Sequence, residues 1–410
     1  MSLRRLAQVA VQPVVALSSR APTRRMAHRL DSLRPPYRAF ANEIPGMKDE
    51  YGDLDDSGHS FILDEDFHLE AGGILRRAEV RYQTWGTLNA TKDNCLVVCH
   101  ALTGNQSLDT WWGECLGPGK AFDTNKYFVV CANVLGSCYG TTGPMSIDHS
   151  APSGNKRYGS DFPAVSIRDT VRLHMRMLSE GLGVKSVESV VGGSMGGMQA
   201  LEWLLLGGPE FVRSGVAIAC GAQHMAWQIA ISETQREAIR SNPENPQAGL
   251  SVARMIAMVS YRTAQAYDRK FGRSATKPSD LWGPFQVRSY LEHQGRKFNH
   301  RFDPQSYISI TEQMDSHDVG RGRGGVQNAL ESIDPTLQPT LIIGIDSDVL
   351  YPLSQQEELH RLLVGSEMSI INSMEGHDGF LLEVDEVSNA TTDFLNRVRE
   401  HHQQRQQHSA

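Results

Sequence analysis

The sequence predicts an α/β protein with a mostly parallel central sheet and helices on both of its faces. Short apolar runs alternate along the chain with segments of helical spacing, and each run is bounded by Gly, Asp or Asn. Such runs are typical of buried parallel strands, and their alternation with helices is typical of layered α/β domains. The predicted strands are 80–84, 95–100, 127–134, 187–191, 215–219, 340–345 and 368–371.

The segment before the fourth of these strands illustrates a predicted helix. Ser166 is suited to be its N-cap, with Asp169 three residues later as a capping-box partner. Ile167 and Val171 follow helical spacing, and Gly183 ends the helix before the next strand begins. This strand–helix–strand order predicts parallel pairing of the strands on either side.

Residues 222–330 interrupt the alternation. Gln, Arg, Met and Tyr are common there, and helical spacing replaces the short apolar runs. We expect this stretch to form a helical insertion, or lid, over the carboxyl edge of the sheet. The core domain is then 31–221 together with 331–398, and the polar residues 399–410 are expected to form a disordered tail.

Composition narrows the functional classes. The chain has 410 residues, of which 40% are hydrophobic, and a net charge of −7, which predicts a soluble globular protein and argues against nucleic acid as a partner. No run approaches eighteen apolar residues, so a membrane span is not expected. The six cysteines form no C-x-x-C pair, which predicts buried free thiols in a reducing compartment and no metal site.

Residues 1–30 predict a mitochondrial presequence, and therefore a location in the matrix. They carry six arginines, and no acidic residue precedes Asp31, which is the composition of such leaders. A secretory signal would need an apolar core that Gln8, Gln12 and Pro13 interrupt. A disordered basic tail on a cytoplasmic protein is the remaining alternative.

The motif Gly192-Gly193-Ser194-Met195-Gly196 predicts a nucleophile. An apolar strand runs directly into this G-x-S-x-G pattern, and an apolar helix follows. A turn this tight holds the serine in a strained conformation at the sheet edge, and the flanking glycines let strand and helix approach each other. A glycine-rich phosphate-binding turn is the competing interpretation, which the strand and helix flanks disfavour.

A serine hydroxyl needs a base, and the base needs an orienting acid. In the α/β-hydrolase fold these follow the nucleophile in the order acid, then histidine. Asp348 follows the strand 340–345 and His377 follows the strand 368–371. Both lie beyond carboxyl strand ends, where sites in open α/β sheets form. Asp346 competes with Asp348, and sequence position barely separates the two.

An oxyanion hole requires two backbone N–H groups. One is expected from Met195, the residue after the nucleophile. The other is expected from the loop His100-Ala101-Leu102-Thr103-Gly104, where Leu102 is the favoured donor and Thr103 is close behind.

Taken together, these segments resemble the homoserine O-acyltransferase family of the α/β-hydrolase superfamily, whose fungal relatives include serine O-acyltransferases. The resemblance runs from about residue 60 to residue 395. It rests on the segments 100–104, 117–124, 136–144, 192–203, 253–255, 298–303, 317–324 and 376–378.

This resemblance implies a triad of Ser194, Asp348 and His377, and it decides between the two aspartates. It further implies that Arg254 and Asp378 bind an amino-acid acceptor. The chemistry agrees, because an arginine can hold a carboxylate and an aspartate can hold an ammonium group. The family resemblance also suggests a homodimer.

The segment after the oxyanion loop departs from the homoserine enzymes. They commonly continue with an acidic residue and a histidine, whereas this chain has Gly104-Asn105-Gln106-Ser107. These four residues are therefore candidate specificity determinants. Together with the presequence they favour L-serine as the acceptor, although one methylene changes binding by only about 1–3 kcal/mol.

The predicted reaction is acyl transfer in two steps. Ser194 attacks the thioester of acetyl-CoA or succinyl-CoA, CoA leaves, and the acyl group passes to the serine hydroxyl, in cysteine biosynthesis. Acyl-CoA is a co-substrate, and no metal or bound cofactor is needed. The alternatives are L-homoserine as acceptor, in methionine biosynthesis, an esterase with the same triad, and a non-enzymatic binding protein.

Overall fold

The structure, a computed structural model, describes residues 57–409 except 153, 155 and 275–284. Ten strands occupy this part of the chain. They are β1 (His59–Ile62), β2 (Phe67–His68), β3 (Ile74–Leu75), β4 (Glu79–Trp85), β5 (Cys95–Cys99), β6 (Phe128–Ala132), β7 (Val187–Gly193), β8 (Gly215–Ile218), β9 (Thr340–Ile345) and β10 (Glu367–Ile371).

Eight of these strands form one sheet in the order β1-β4-β6-β5-β7-β8-β9-β10. β1 and β4, and β4 and β6, pair antiparallel, whereas the neighbours from β6 to β10 pair parallel. The mostly parallel sheet is therefore confirmed. β2 and β3 form a separate two-stranded ribbon.

Helices fill the connections between the strands. Outside the insertion they are α1 (Leu108–Trp111), α2 (Ile167–Arg176), α3 (Met195–Phe211), α10 (Leu353–Leu362), α11 (Gly379–Leu382) and α12 (Val384–Ser409). Between β8 and β9 lie α4 (Ala226–Arg240), α5 (Pro246–Tyr261), α6 (Ala264–Phe271), α7 (Gln286–Asn299), α8 (Pro304–Asp315) and α9 (Val326–Glu331). The described part of the insertion is thus helical and contains no strand.

The sheet separates two apolar layers. Along β5, every side chain is buried, with Cys95 and Val97 in one layer and Leu96 and Val98 in the other. This alternation follows from the two-residue period of a strand. Side chains of α2, α3 and α10 complete the first layer, and those of α1 and α12 complete the second. Helices therefore cover both faces, as the sequence predicts.

The predicted N-cap of α2 is confirmed. The Ser166 hydroxyl accepts from the Asp169 N–H at 3.1 Å, and the Asp169 carboxylate accepts from the Ser166 N–H at 3.0 Å. This reciprocal pair satisfies two backbone donors that a helix end leaves without intrahelical partners.

Two terminal predictions fare differently. The presequence prediction, residues 1–30, lies outside the described residues. The disordered tail expected over 399–410 is not what the structure has, because α12 continues to Ser409. The prediction considered only the polarity of these residues. The preceding part of the helix packs into the core through Val387, Phe394, Leu395 and Val398. A polar extension can continue a helix that is already nucleated.

The six cysteines are free, and five of them are buried, which confirms the prediction of buried thiols. Among the described residues, no group of three or more His, Cys, Asp or Glu side chains is arranged to hold a metal ion. No helix in the described ranges is both long and apolar enough to span a membrane.

Candidate active site

The turn between β7 and α3 presents Ser194. The strand ends one residue before it and the helix begins one residue after it, which gives Ser194 a φ of 57° and a ψ of −122°. Side-chain-bearing residues rarely adopt a positive φ. A Cβ added to Gly192 would lie 2.3 Å from the Gly196 backbone, and one on Gly196 would lie 2.2 Å from the Cys99 oxygen. Glycine is therefore required at both positions for the turn to form.

Ser194, His377 and Asp348 form one hydrogen-bonded chain. The Ser194 Oγ lies 2.9 Å from His377 Nε2, and His377 Nδ1 lies 2.7 Å from Asp348 Oδ2. All three side chains are buried. A carboxylate can only accept, so Nδ1 carries the proton and Nε2 accepts from the serine hydroxyl. This tautomer is the one that a general base for serine requires.

The geometry separates the two candidate aspartates. Asp348 is buried, and its Oδ1 accepts from the N–H groups of Leu350 and Tyr351 at 2.8 Å each. Asp346 is exposed, and its Oδ1 accepts from the Ser373 N–H at 2.9 Å. Only Asp348 reaches the imidazole, because the turn after β9 directs the Asp348 carboxylate toward His377.

Aromatic rings surround the imidazole of His377. The ring centroids of Tyr351, Phe380 and Tyr261 lie 5.2, 5.4 and 5.9 Å from the imidazole centroid. The Tyr351 ring is itself fixed by a 3.0 Å hydrogen bond between its hydroxyl and His224 Nδ1. These contacts restrict rotation of the imidazole and exclude water from around it.

The loop after β5 is anchored by His100. Its Nε2 accepts from the Val134 N–H at 3.2 Å, so Nδ1 carries a proton and donates to the Ala101 oxygen at 2.8 Å. Burial lowers the pKa of His100 to about 4, which keeps the ring neutral. Leu102 follows immediately, and both it and Met195 are buried. Their roles as oxyanion donors stay predictions.

The two residues predicted to bind the acceptor lie on different elements. Arg254 is on α5, only 1% exposed, with its guanidinium carbon 5.1 Å from the Phe298 ring centroid. Asp378 adjoins His377 and is 2% exposed. Burial, the largest cause, raises the pKa of Tyr267, and the charges of Arg254 and Asp378 both act on that hydroxyl. The structure buries both groups, and their roles in binding the acceptor stay predictions.

Arg262 is a site residue that sequence reasoning missed. Its Nε donates to Asp378 Oδ2 at 2.5 Å, and it also pairs with Glu375. Arg269 donates to Glu375 at 2.6 Å. Arg262 thus bridges the two acids on either side of Gly376-His377. The sequence Ser-Tyr-Arg-Thr around it carries no signal of this role, since the partners lie more than a hundred residues away.

The candidate specificity segment forms a buried turn. Asn105, Gln106 and Ser107 are all buried. The Asn105 side-chain oxygen accepts from the Ser107 N–H at 2.9 Å, and the Gln106 amide donates to the Ser57 oxygen at 2.6 Å. A Cβ on Gly104 would lie 3.0 Å from the His100 Cβ. These contacts give the segment an internal structural role, and its influence on the acceptor stays a prediction.

Comparisons with known proteins identify the family. Residues 94–384 match the model of the alpha/beta hydrolase fold. A homoserine O-acetyltransferase of Salinibacter ruber is 49% identical over 330 residues, which is 77% of this chain and 92% of that protein. The chain belongs to the homoserine O-acyltransferase family of the α/β-hydrolase superfamily. It is therefore an acyltransferase.

Solved structures in the superfamily agree with this fold. The homoserine O-acetyltransferase of Staphylococcus aureus is 29% identical, with a TM-score of 0.67 over 83% of this chain and 95% of that one. A mutant of esterase E22 is 25% identical, with a TM-score of 0.74 over 82% of this chain and 98% of that one. Homoserine O-acetyltransferases and esterases therefore share this architecture, so the fold alone does not identify the acceptor.

The comparisons favour the alternative acceptor over the main expectation. Eight curated relatives, at 43–49% identity, are all named homoserine O-acetyltransferases. The preference for L-serine, and with it cysteine biosynthesis, is not supported. That preference relied on residues 104–107 and on the predicted presequence. The hydrogen bonds of Asn105, Gln106 and Ser107 offer another reason for the departure in sequence, because a segment that builds a turn can vary without a change of acceptor.

Proposed function

We propose that this acyltransferase transfers an acetyl group from acetyl-CoA to the side-chain hydroxyl of L-homoserine, a reaction that would serve methionine biosynthesis. The observation that carries the chemistry is the 2.9 Å contact between the Ser194 Oγ and His377 Nε2, backed by Asp348. The relatives' names support homoserine as the acceptor and acetyl as the transferred group, at up to 49% identity across most of the chain.

In the first step, the Ser194 proton passes to His377 Nε2 as the Oγ attacks the thioester carbon. The Oγ–carbon bond forms, and the negative charge on the carbonyl oxygen is stabilised by backbone N–H groups of Leu102 and Met195. The carbon–sulfur bond then breaks, and CoA leaves as a thiol with the proton from His377. Asp348 stabilises the imidazolium between these events.

In the second step, His377 takes the proton of the acceptor hydroxyl, whose oxygen attacks the acyl-enzyme carbon. The Ser194 Oγ recovers the proton when its bond to the acyl group breaks, and O-acetylhomoserine departs. Water could take the place of the acceptor. The aromatic rings around His377 and the helices of the insertion disfavour water by limiting access to the imidazole.

Arg254 and Asp378 are assigned to the acceptor's two charged ends. Arg254 is buried against Phe298 on α5, where a guanidinium can present parallel N–H groups to a carboxylate. Asp378 is directly beside His377, so an ammonium group held there would leave the hydroxyl near Nε2. Arg262 keeps Asp378 in place through the 2.5 Å contact.

A matrix of donors and acceptors tests the proposal. Acetyl-CoA and succinyl-CoA are each combined with L-homoserine and L-serine, and the O-acyl amino acid is quantified by mass spectrometry. We expect the highest kcat/KM for acetyl-CoA with L-homoserine, and no turnover by Ser194→Ala. A higher kcat/KM with L-serine would refute the proposed acceptor, and a normal rate for Ser194→Ala would exclude the covalent mechanism.

Hydrolysis of the acyl-enzyme is the second candidate activity of this acyltransferase, which the similarity to esterase E22 favours. The same matrix decides between the two, because free acetate and O-acetylhomoserine are measured in one sample. Acetate release that L-homoserine does not suppress would identify a hydrolase. A transferase partitions the acyl-enzyme toward the acceptor, so acetate should fall as the acceptor concentration rises.

The N-terminal leader is a separate proposal. Its six arginines and lack of acidic residues before Asp31 favour import into mitochondria. Residues 1–30 fused to a fluorescent protein should direct it to the matrix, and a matched fusion with all six arginines replaced by glutamine should remain in the cytoplasm. Cytoplasmic fluorescence from the fusion with the unaltered leader would refute the proposal of mitochondrial import.

A further inference from the structure

Arg301, between α7 and α8 of the insertion, reaches the loop that follows β5. Its Nη1 donates to the Thr103 oxygen at 3.0 Å and to the Tyr139 hydroxyl at 3.1 Å. Its guanidinium carbon also lies 4.9 Å from the Phe298 ring centroid. Thr103 is 198 residues away in sequence, so this contact joins the insertion to the predicted oxyanion loop.

The Thr103 oxygen belongs to a peptide whose other end is also fixed. The Gly104 N–H of that peptide donates to the Ala101 oxygen at 3.0 Å. A trans peptide is planar, with its C=O and N–H pointing in opposite directions. Arg301 on the carbonyl side therefore sets the direction in which the Gly104 N–H donates.

The Ala101 oxygen belongs to the peptide that carries the Leu102 N–H. This oxygen accepts from Gly104 on one side and from His100 Nδ1, at 2.8 Å, on the other. Because the Ala101–Leu102 peptide is planar as well, two donors on its oxygen fix the opposite direction for the Leu102 N–H. Two peptide planes thus connect Arg301 to the predicted oxyanion donor.

We infer that Arg301 is a positioning residue for the oxyanion hole, acting on Leu102 through the Thr103–Gly104 and Ala101–Leu102 peptides. A guanidinium is suited to this because a charged donor forms a stronger hydrogen bond to a carbonyl than a neutral donor does. The insertion then has a part in acyl transfer that is separate from covering the site. The inference rests on the proposed covalent function.

Arg301 could also influence the active site in a different way, through the ring of Phe298. Its ring lies between Arg301 and Arg254, with guanidinium carbons at 4.9 and 5.1 Å from the centroid. If Arg301 acted through Phe298 and Arg254, its removal would disturb the proposed site for the acceptor carboxylate and raise the acceptor KM. Loss of the oxyanion donor instead lowers the rate of both chemical steps, because an oxyanion forms in each.

The test compares Arg301→Met, Arg301→Lys and Tyr139→Phe. Methionine keeps an apolar stem against Phe298 and removes the N–H donors, and lysine keeps a charged donor group of shorter reach. Tyr139→Phe is the matched control, because it removes another partner of Nη1 and leaves the Thr103 contact. Acylation is measured in the first turnover, as p-nitrophenol from p-nitrophenyl acetate and as CoA from acetyl-CoA. Rates are expressed per site labelled to completion by a fluorophosphonate.

Removing an oxyanion donor costs about 10²–10³ in rate, and loosening one should cost less. We expect Arg301→Met to lower the acylation rate constant roughly tenfold, both with p-nitrophenyl acetate and with acetyl-CoA as the acyl donor. The acceptor KM should change less than twofold, Arg301→Lys should be intermediate, and Tyr139→Phe should resemble the wild type. An unchanged acylation constant, a rise in acceptor KM alone, or an equal loss in Tyr139→Phe would overturn the inference. Wild-type acylation without transfer to L-homoserine would instead refute only the proposed acceptor.

Discussion

Replacing Asp348 by asparagine tests whether Asp348 sets the tautomer of His377, because the substitution changes the hydrogen bonding and keeps the shape of the side chain. Asp348 Oδ1 accepts from two backbone N–H groups at 2.8 Å, and Oδ2 faces His377 Nδ1 at 2.7 Å. An amide has one oxygen, and that oxygen must face the two N–H donors. The amide nitrogen is then directed at Nδ1 and donates to it, which moves the imidazole proton to Nε2. In that tautomer, His377 has no lone pair for the Ser194 proton.

The expected loss is large because the nucleophile loses its base while the packing stays intact. In the serine-protease triad, the equivalent substitution lowers kcat about 10⁴-fold. A factor of that size corresponds to about 5.5 kcal/mol of transition-state stabilisation. Asp348→Asn should lower the acylation rate constant by a similar factor, with the acetyl-CoA KM nearly unchanged.

The assay follows CoA release in the first turnover, with circular dichroism as a check on folding. Asp346→Asn is the matched control: this carboxylate is exposed and contacts the Ser373 N–H, so its rate should stay within about twofold of wild type. An Asp348→Asn rate within tenfold of wild type would refute the tautomer argument. A comparable loss in Asp346→Asn would refute the assignment of the triad acid.

Three further outcomes are expected. Arg262→Met removes the cation that fixes Asp378 and should raise the acceptor KM at least fivefold, with acylation by acetyl-CoA measured separately and little changed. Gly196→Ala places a methyl group 2.2 Å from the Cys99 oxygen, and a thermal melt should show destabilisation of roughly 1–3 kcal/mol or more. Burial lowers the pKa of His100 and of His174 from 6.5 to about 4. The unfolded chain therefore binds more protons between about pH 4 and 6.5, and denaturant titrations should show stability falling as the pH drops through that window, by roughly 1.4 kcal/mol per unit per histidine.

The parallel strands and the elbow could be predicted because their signals are local. β9 matches its predicted span of 340–345, and β7 extends the predicted 187–191 into the elbow glycines. Buried parallel strands are continuous apolar runs, which any sequence window detects. β1 is largely exposed at the sheet edge, so no apolar run marked it and it was missed.

The contacts that hold the site together could not be predicted because they are non-local. Arg262 pairs with acids 113 and 116 residues away, and one arginine in a helical segment looks like another. For the same reason, the sequence could not show whether Asp346 or Asp348 contacts the histidine. A shift of two residues along the turn decides which carboxylate points inward, and the family resemblance, rather than the spacing, distinguishes the two.

The weak ionisation of the cysteines has a consequence for an enzyme whose proposed first product is a thiol. Burial, the largest cause in each case, raises the pKa of Cys115, Cys138 and Cys220 to about 12. Near neutral pH these thiols are therefore almost entirely protonated, and the thiolate is the nucleophile. We therefore expect these three thiols not to compete with the proposed acceptor for the acetyl group. They should also react slowly with disulfide reagents, so that a thiol assay during turnover should report the CoA that is released.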